Sequence, residues 1–193
     1  MSSRVTESEN LILESARTEI ENHGVLGLRV AEVAARAHCS ITQIYRRFED
    51  RNGLLARVLG DIYEESVENS FKAFQLKMSS LSEITADDIV DNLLMPSQYA
   101  LLKTQELRLE ILAVSVTNEE LRTRIKKISQ EYVDKWDSCL DHIEERLEKG
   151  IKIDRRIFTI MLLIQNMYYR TLLDEKGFTD DEYRQFIKDK ILL

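Results

Sequence analysis

An all-α protein is what this sequence predicts, and three observations carry the prediction. The 193 residues contain six glycines and one proline, so breaks are few, and the good helix formers Glu, Leu, Ile, Arg and Lys are abundant. Apolar residues recur at spacings of three and four. Nearly every such stretch is bounded by a capping residue or a glycine. The reading gives about nine helices, with no alternating strand pattern, repeat or low-complexity tract.

Taken in order, Thr6 with Glu9 reads as a capping box that opens the first helix, whose inward stripe is Leu13, Ala16 and Ile20. Gly24, after Asn22 and His23, is a left-handed stop. Val30 to Ala37 forms a short second helix, and Ser40 with Gln43 caps a third from Ile41 to Phe48. Asp50 opens a long fourth helix whose stripe includes Leu54, Leu55, Val58, Leu59, Ile62, Phe71 and Phe74. Thr85 with Asp88 opens a segment stopped by Pro96. Tyr99 to about Val116 is the next. Asn118 precedes Glu119, Glu120 and Leu121, with acids in the first turn; this helix is expected to reach Lys149 and end at Gly150. Asp154 opens Arg155 to about Lys176, ended by Gly177, and Thr179 with Glu182 opens the last helix.

Composition bounds the function. A 44% hydrophobic chain can bury a core. It has no run of about 18 apolar residues to span a membrane, and its start, MSSRVTESEN, lacks a secretory apolar stretch. Cys39 and Cys139 make no disulfide framework, so a cytoplasmic chain with reduced thiols is expected. Net charge is −7, but it is unevenly distributed. The first 57 residues balance eight arginines against eight acids, and the acidic excess lies in the remainder. Between Arg29 and Arg47, the four arginines Arg29, Arg36, Arg46 and Arg47 stand with a single acid, Glu32. A basic centre on an acidic body is compatible with a DNA-reading module.

The two short helices and their tight turn follow the helix-turn-helix plan, in which the second helix enters the major groove. Val33 and Ala34 lie on the first helix, His38, Cys39 and Ser40 in the turn, and Ile44 and Phe48 one turn apart on the inner face of the second. Thr42, Gln43, Tyr45, Arg46 and Arg47 then fall on the outer sides. Gln can bond adenine and Arg guanine, while Tyr and the other Arg suit phosphates.

With these residues in place, residues 11–55, LILESARTEIENHGVLGLRVAEVAARAHCSITQIYRRFEDRNGLL, resemble the DNA-binding head of TetR-type (TetR/AcrR) transcriptional regulators. The shared pattern is Gly24, Val30 through Val33-Ala34, Ser40, Ile44-Tyr45, Phe48 and Arg51. Asn118-Glu119-Glu120-Leu121-Arg122 is similar to the family's usual opening of helix seven. Departures from the pattern are informative. Arg29 stands where a Ser or Thr cap is common, which loses a cap at roughly 1 kcal/mol and gains a cation that can reach a phosphate. His38 replaces the turn glycine, and Ile41-Thr42 a frequent Lys-Gly pair. Arg51 keeps a cation near the DNA backbone. The expected DNA contacts are Arg29, Ser40, Thr42, Gln43, Tyr45, Arg46, Arg47 and Arg51.

The resemblance implies a head, residues 6–53, on a regulatory and dimerisation body, residues 54–193. The helix from Arg155 is apolar nearly all round from Ile157 to Ile164, so it must be buried on two sides. In the family, the last two helices make a four-helix dimer interface; here it would use Ile157, Ile160, Ile164, Tyr169, Tyr183, Phe186 and Ile187. A two-fold dimer sets two heads about one DNA turn, ~34–36 Å, apart. The family's inducer pocket would draw on Phe71, Met78, Tyr99, Trp136, Met161, Gln165 and Tyr168. Gln165 and Asn166 interrupt an apolar helix, and buried amides need partners.

The histidines have no metal-ligand spacing, and no catalytic motif or phosphate-binding loop is present, so neither enzyme chemistry nor a cofactor is expected. The expected partners are double-stranded operator DNA, a second copy of the chain and a small-molecule effector, with no membrane. The expected function is a homodimeric, effector-released repressor. The alternatives are an effector-independent architectural or division-linked factor of the same fold, and a small helical enzyme.

Overall fold

The computed structural model of the chain describes residues 2–93, 104–165 and 179–192. Among them are nine helices: α1 (Ser2–His23), α2 (Val30–Arg36), α3 (Ile41–Phe48), α4 (Arg51–Ser79), α5 (Ala86–Asn92), α6 (Thr104–Thr117), α7 (Glu119–Glu144), α8 (Arg155–Gln165) and α9 (Asp180–Lys190). The all-α expectation holds; the β structure among these residues amounts to two isolated bridges. The helices group into two compact units, Met1–Ser66 with Glu106–Ser129, and Val67–Gln105 with Gln130–Leu193.

In the first unit the inward stripes of the helices converge. Ile12, Ala16 and Ile20 of α1 share a core with Val33 and Ala34 of α2, Ile44 of α3, Leu54, Val58 and Leu59 of α4, Ile111 of α6 and Leu121 of α7, all at most 5% exposed. Each large aliphatic side chain so buried contributes roughly 1.5–3 kcal/mol of transfer free energy. α1 begins at Ser2, so Thr6 lies inside the helix and is not its cap. No glycine or proline occurs from Ser2 to His23, so nothing stops the helix growing backwards past the expected box. Its far end is as expected: Gly24 has φ +70° and donates its N–H to Ile20 O at 2.8 Å.

Asn118 is the N-terminal cap of α7. Its Oδ1 accepts from Leu121 N at 3.0 Å, and its Nδ2 donates to Asn52 O at 2.9 Å, tying the start of α7 to the first turn of α4. At α4 itself, Asp50 Oδ1 accepts from Gly53 N at 2.9 Å, the expected cap.

The second unit is centred on Trp136. Phe71, Phe74, Tyr132 and Phe158 surround it with ring centroids 4.9–6.0 Å away, the tilted and edge-on packing that aromatic quadrupoles favour. The Thr85–Asp88 and Thr179–Glu182 capping boxes both form. α5 ends at Asn92 because Leu93 turns extended, before residue 96 is reached. α7 stops at Glu144, five residues short of the expected Lys149. The chain leaves the helix to pair with Ile84: Ile84 N donates to Arg146 O at 2.8 Å and Glu148 N to Ile84 O at 2.9 Å. Arg146 reinforces the exit by donating to Leu81 O at 2.8 Å. Asp154 opens α8 as expected, accepting from Arg156 N and Ile157 N. Across the unit, Arg184 and Lys188 of α9 pair with Asp91 and Asp87 of α5.

Candidate nucleic-acid interface

The short pair α2 and α3 is fixed by local chemistry. Arg29, the residue before α2, makes no side-chain cap bond, so the loss of a cap is real. The turn that follows runs through His38 at φ +50°, a left-handed backbone on a non-glycine residue. Ser40 then caps α3: its Oγ accepts from Gln43 N at 3.2 Å, and Gln43 Oε1 accepts from Ser40 N at 2.8 Å. Glu49, at φ +63°, turns the chain from α3 into α4.

α3 is sharply two-sided. Ile44 is fully buried and Phe48 is 8% exposed. Ser40, Ile41, Thr42, Gln43, Tyr45 and Arg46 are exposed, and Arg47 is half-buried. The outer face therefore offers two hydroxyls, an amide, a phenol and a guanidinium on an eight-residue rod, the size and chemistry that a major groove accepts.

The expected contact residues differ in how free they are. Arg46 makes no ion pair or hydrogen bond among the described residues. Arg47 donates to Ser8 Oγ of α1 at 2.7 Å. Arg29 lies 3.5 Å from Glu19 and 3.9 Å from Glu32, and is 61% exposed. Arg51 is half-buried, and its Nη2 donates inward to Val25 O and Leu28 O at 3.3 and 3.4 Å. Gln43 is occupied in part by its own capping box.

Two residues that sequence reasoning passed over bear on this head. Glu110 of α6 accepts from Val25 N at 2.7 Å, so the loop after α1 is gripped by Glu110 on one side and Arg51 on the other. Glu19 is 2% exposed inside the head. The signal for Glu19 was available: it follows Ala16 and precedes Ile20 on the same inward stripe of α1. Glu110 had no such signal, since its partner is a backbone amide 85 residues away in sequence.

In the second unit, the expected pocket residues fall into separate environments. Phe71 and Trp136 are core, at 4% exposure each. Trp136 Nε1 is buried with no hydrogen-bond partner. Met78 lines a half-open cleft of about 320 Å³ together with Gln75, Ser79, Ser138, Cys139, His142 and Arg146. Burial pushes the Cys139 thiol up. Tyr99, Tyr168 and Tyr169, and the side chains of Met161, Ile164 and Gln165, lie outside the described residues. Of the expected interface residues, Ile160 and Phe186 are exposed at 54% and 42%. Ile157 and Tyr183 pack partly against the unit's own core, and Ile187 is fully buried in it.

Among the described residues no three His, Cys, Asp or Glu side chains gather to hold a metal, and no helix is long and apolar enough to cross a membrane.

Residues 12–58 match the family model "Bacterial regulatory proteins, tetR family". No curated protein matches the chain. Solved structures described as TetR-family transcriptional regulators share its fold. One from Rhodococcus sp. has 20% identity, TM-score 0.57 and coverage of 94% of this chain and 95% of its own. One from Mesorhizobium loti has 16% identity, TM-score 0.62 and coverage of 95% and 92%. A transcriptional regulator from Saccharomonospora viridis, solved in complex with choline, has 18% identity, TM-score 0.62 and coverage of 97% and 99%. At such identities the structures speak for the fold, and the match over α1 to α4 speaks for the head. Residues 12–58 thus match the model of the tetR-family head, and the chain shares the fold of these solved structures.

Proposed function

We infer that this chain is a TetR-type transcriptional regulator, a homodimeric repressor that binds palindromic operator DNA and is released by a small-molecule effector. Residues 6–53 read the DNA, and residues 54–193 carry regulation and dimerisation. The observation that carries the reading is the two-sidedness of α3: Ile44 and Phe48 anchor it, while Thr42, Gln43, Tyr45 and Arg46 stay exposed. Arg46, free of any internal partner, is the base reader. Ser40, Thr42 and Tyr45 meet the backbone, and Arg29 and Arg47 flank them. Arg51 acts from behind, by holding the loop carbonyls of Val25 and Leu28. A cytoplasmic location is consistent with this reading.

A second copy is needed because one such rod offers too few base contacts for operator specificity, whereas a two-fold pair reads two half-sites. Ile160 and Phe186, large apolar groups left exposed, support α8 and α9 as the interface. An effector site in the second unit is supported by the cleft at Met78, whose volume suits a small ligand, and by the unpartnered Trp136 Nε1. The Saccharomonospora viridis protein of the same fold holds choline. α4 runs through the unit boundary after Ser66, and α7 through that after Ser129. The effector is expected to act on one of these two helices. It must bind the two states with different affinity, or nothing shifts.

The test is selection of duplexes from a random library by the purified full chain, with sedimentation to give the assembly. A two-fold-symmetric consensus bound by a dimer, weakened by Arg46→Ala and by added salt, is the expected result. No enrichment over the input library overturns the reading.

A further inference from the structure

Glu19 stands on the inward stripe of α1 between Ala16 and Ile20, with its side chain 2% exposed. Its Oε1 has no hydrogen-bond partner. The nearest cations are two arginines: Arg29 Nε lies 3.5 Å from Oε1, and Arg36 Nη2 lies 3.8 Å from Oε2. They occupy the two ends of α2, Arg29 as the uncapped residue before it and Arg36 as its last residue. Both remain open to solvent, at 61% and 45%.

This arrangement is not what packing alone asks for. An apolar residue would complete the stripe, and a carboxylate withdrawn from water is unfavourable unless it is paired. The pairing here is by charge across ion-pair distances, and it reaches both ends of the helix that crosses the DNA backbone in a helix-turn-helix. A guanidinium whose inner side faces a buried carboxylate keeps its outer edge for a phosphate. Glu32, 3.9 Å from Arg29 Nη1 but itself exposed, is a weaker and more screened neighbour.

We propose that Glu19 is a positioning residue for DNA binding: its buried carboxylate holds the guanidinium groups of Arg29 and Arg36 so that their outer edges meet phosphates already oriented. The gain is side-chain freedom that need not be lost on docking. The proposal rests on the DNA-binding reading above. It makes a prediction of opposite sign to simple electrostatics, in which removing an anion from the head tightens binding to a polyanion.

The experiment measures binding of the full-length protein to the selected operator and to a random-sequence duplex, by fluorescence anisotropy over a range of KCl concentrations. Glu19→Gln keeps the shape and removes the charge; Glu19→Leu completes the apolar stripe and guards against a folding defect, with thermal melting as the control. Both variants are expected to bind both duplexes roughly three- to tenfold more weakly, the range of ordering one long side chain on docking, with a shallower salt slope. That loss should vanish when Arg29 and Arg36 are both alanine. In the free protein, the Arg29 Nε–H resonance should exchange faster with water once Glu19 is replaced. Binding equal to or tighter than the parent's, or a loss that persists unchanged in the arginine-free background, overturns the proposal. A parent protein that binds no duplex even at low salt overturns the DNA-binding reading beneath it.

Discussion

Arg124 of α7 lies directly across Gly60 of α4: a Cβ built at Gly60 would stand 2.5 Å from Arg124 Cδ and 2.6 Å from its Nη1. From this position Arg124 donates to Arg57 O at 2.7 Å and pairs with Asp61 at 2.5 Å and Glu64 at 3.0 Å. The absent side chain at position 60 is what lets one guanidinium bind three successive turn positions of α4. Within the first unit this joins α7 to α4 a second time, beside the Asn118–Asn52 tie at the start of α7.

Gly60→Ala is therefore expected to destabilise the protein, against the helix scale. Alanine is intrinsically better than glycine in a helix interior by about 1 kcal/mol. Displacing Arg124 from a carbonyl and two carboxylates costs about 1–3 kcal/mol, so a net loss of ~1 kcal/mol is expected. In an Arg124→Ala background, the same Gly60→Ala change should stabilise. Urea denaturation of the four proteins of this cycle decides it: a Gly60→Ala that stabilises the parent removes the argument.

Gln43 holds two roles that a charge change can separate. Its Oε1 closes the capping box with Ser40 N, while its amide nitrogen is the donor proposed to meet a base. Gln43→Glu preserves the box, and a carboxylate in the first turn of α3 favours the helix. Stability should be kept within ~0.5 kcal/mol. DNA affinity should fall by tenfold or more, since the donor is lost and a negative charge is brought to the groove. Equal affinity in a binding titration, with stability unchanged, removes Gln43 from the contact surface.

The head was more legible in the sequence than the body, and particular residues show why. Ser40 with Gln43, Thr85 with Asp88, Thr179 with Glu182 and Gly24 are signals contained within a few residues, and each acts as read. Thr6 carried the same kind of signal and fails, because a capping box tells where a helix can begin, not that it must. The end of α7 at Glu144 depends on Ile84, more than sixty residues away, offering its backbone to Arg146 and Glu148. Gly60 opposite Arg124 and Val25 N on Glu110 are likewise meetings of distant segments. Glu19 was passed over for a different reason: its spacing from Ala16 and Ile20 points inward, but a charged residue type is by habit assigned to the surface.

His38 carries the strain in the turn between α2 and α3. A left-handed backbone disfavours a residue with a Cβ by roughly 1–2 kcal/mol, and glycine gives back part of that through the greater freedom of its unfolded chain. His38→Gly should raise stability by up to ~1 kcal/mol while the exposed face of α3 is untouched. Thermal melting together with the operator titration measures both halves. A lower melting temperature means that the imidazole makes a compensating contact which the φ of +50° does not reveal.

Acid sensitivity should reside in the second unit. Three carboxyls there are held below their usual range: Glu68 by a hydrogen bond from Lys135, Asp88 by hydrogen bonds from the hydroxyl and amide of Thr85, and Glu182 by the amide and hydroxyl of Thr179. For a group whose folded pKa lies below its unfolded one, the folded state is favoured fully above the unfolded pKa. That advantage is lost as the pH falls through the folded pKa. The window is therefore acid, opening near pH 4, where free carboxylates begin to protonate. Asp88→Asn, which cannot ionise, should be less stable than the parent at pH 7, and the gap should narrow steadily from about pH 4 downward. Guanidinium denaturation at a series of pH values reads this directly. A gap that stays constant on acidification means that the Thr85 bonds serve the neutral side chain as well as the charged one, and that the acid limb arises elsewhere.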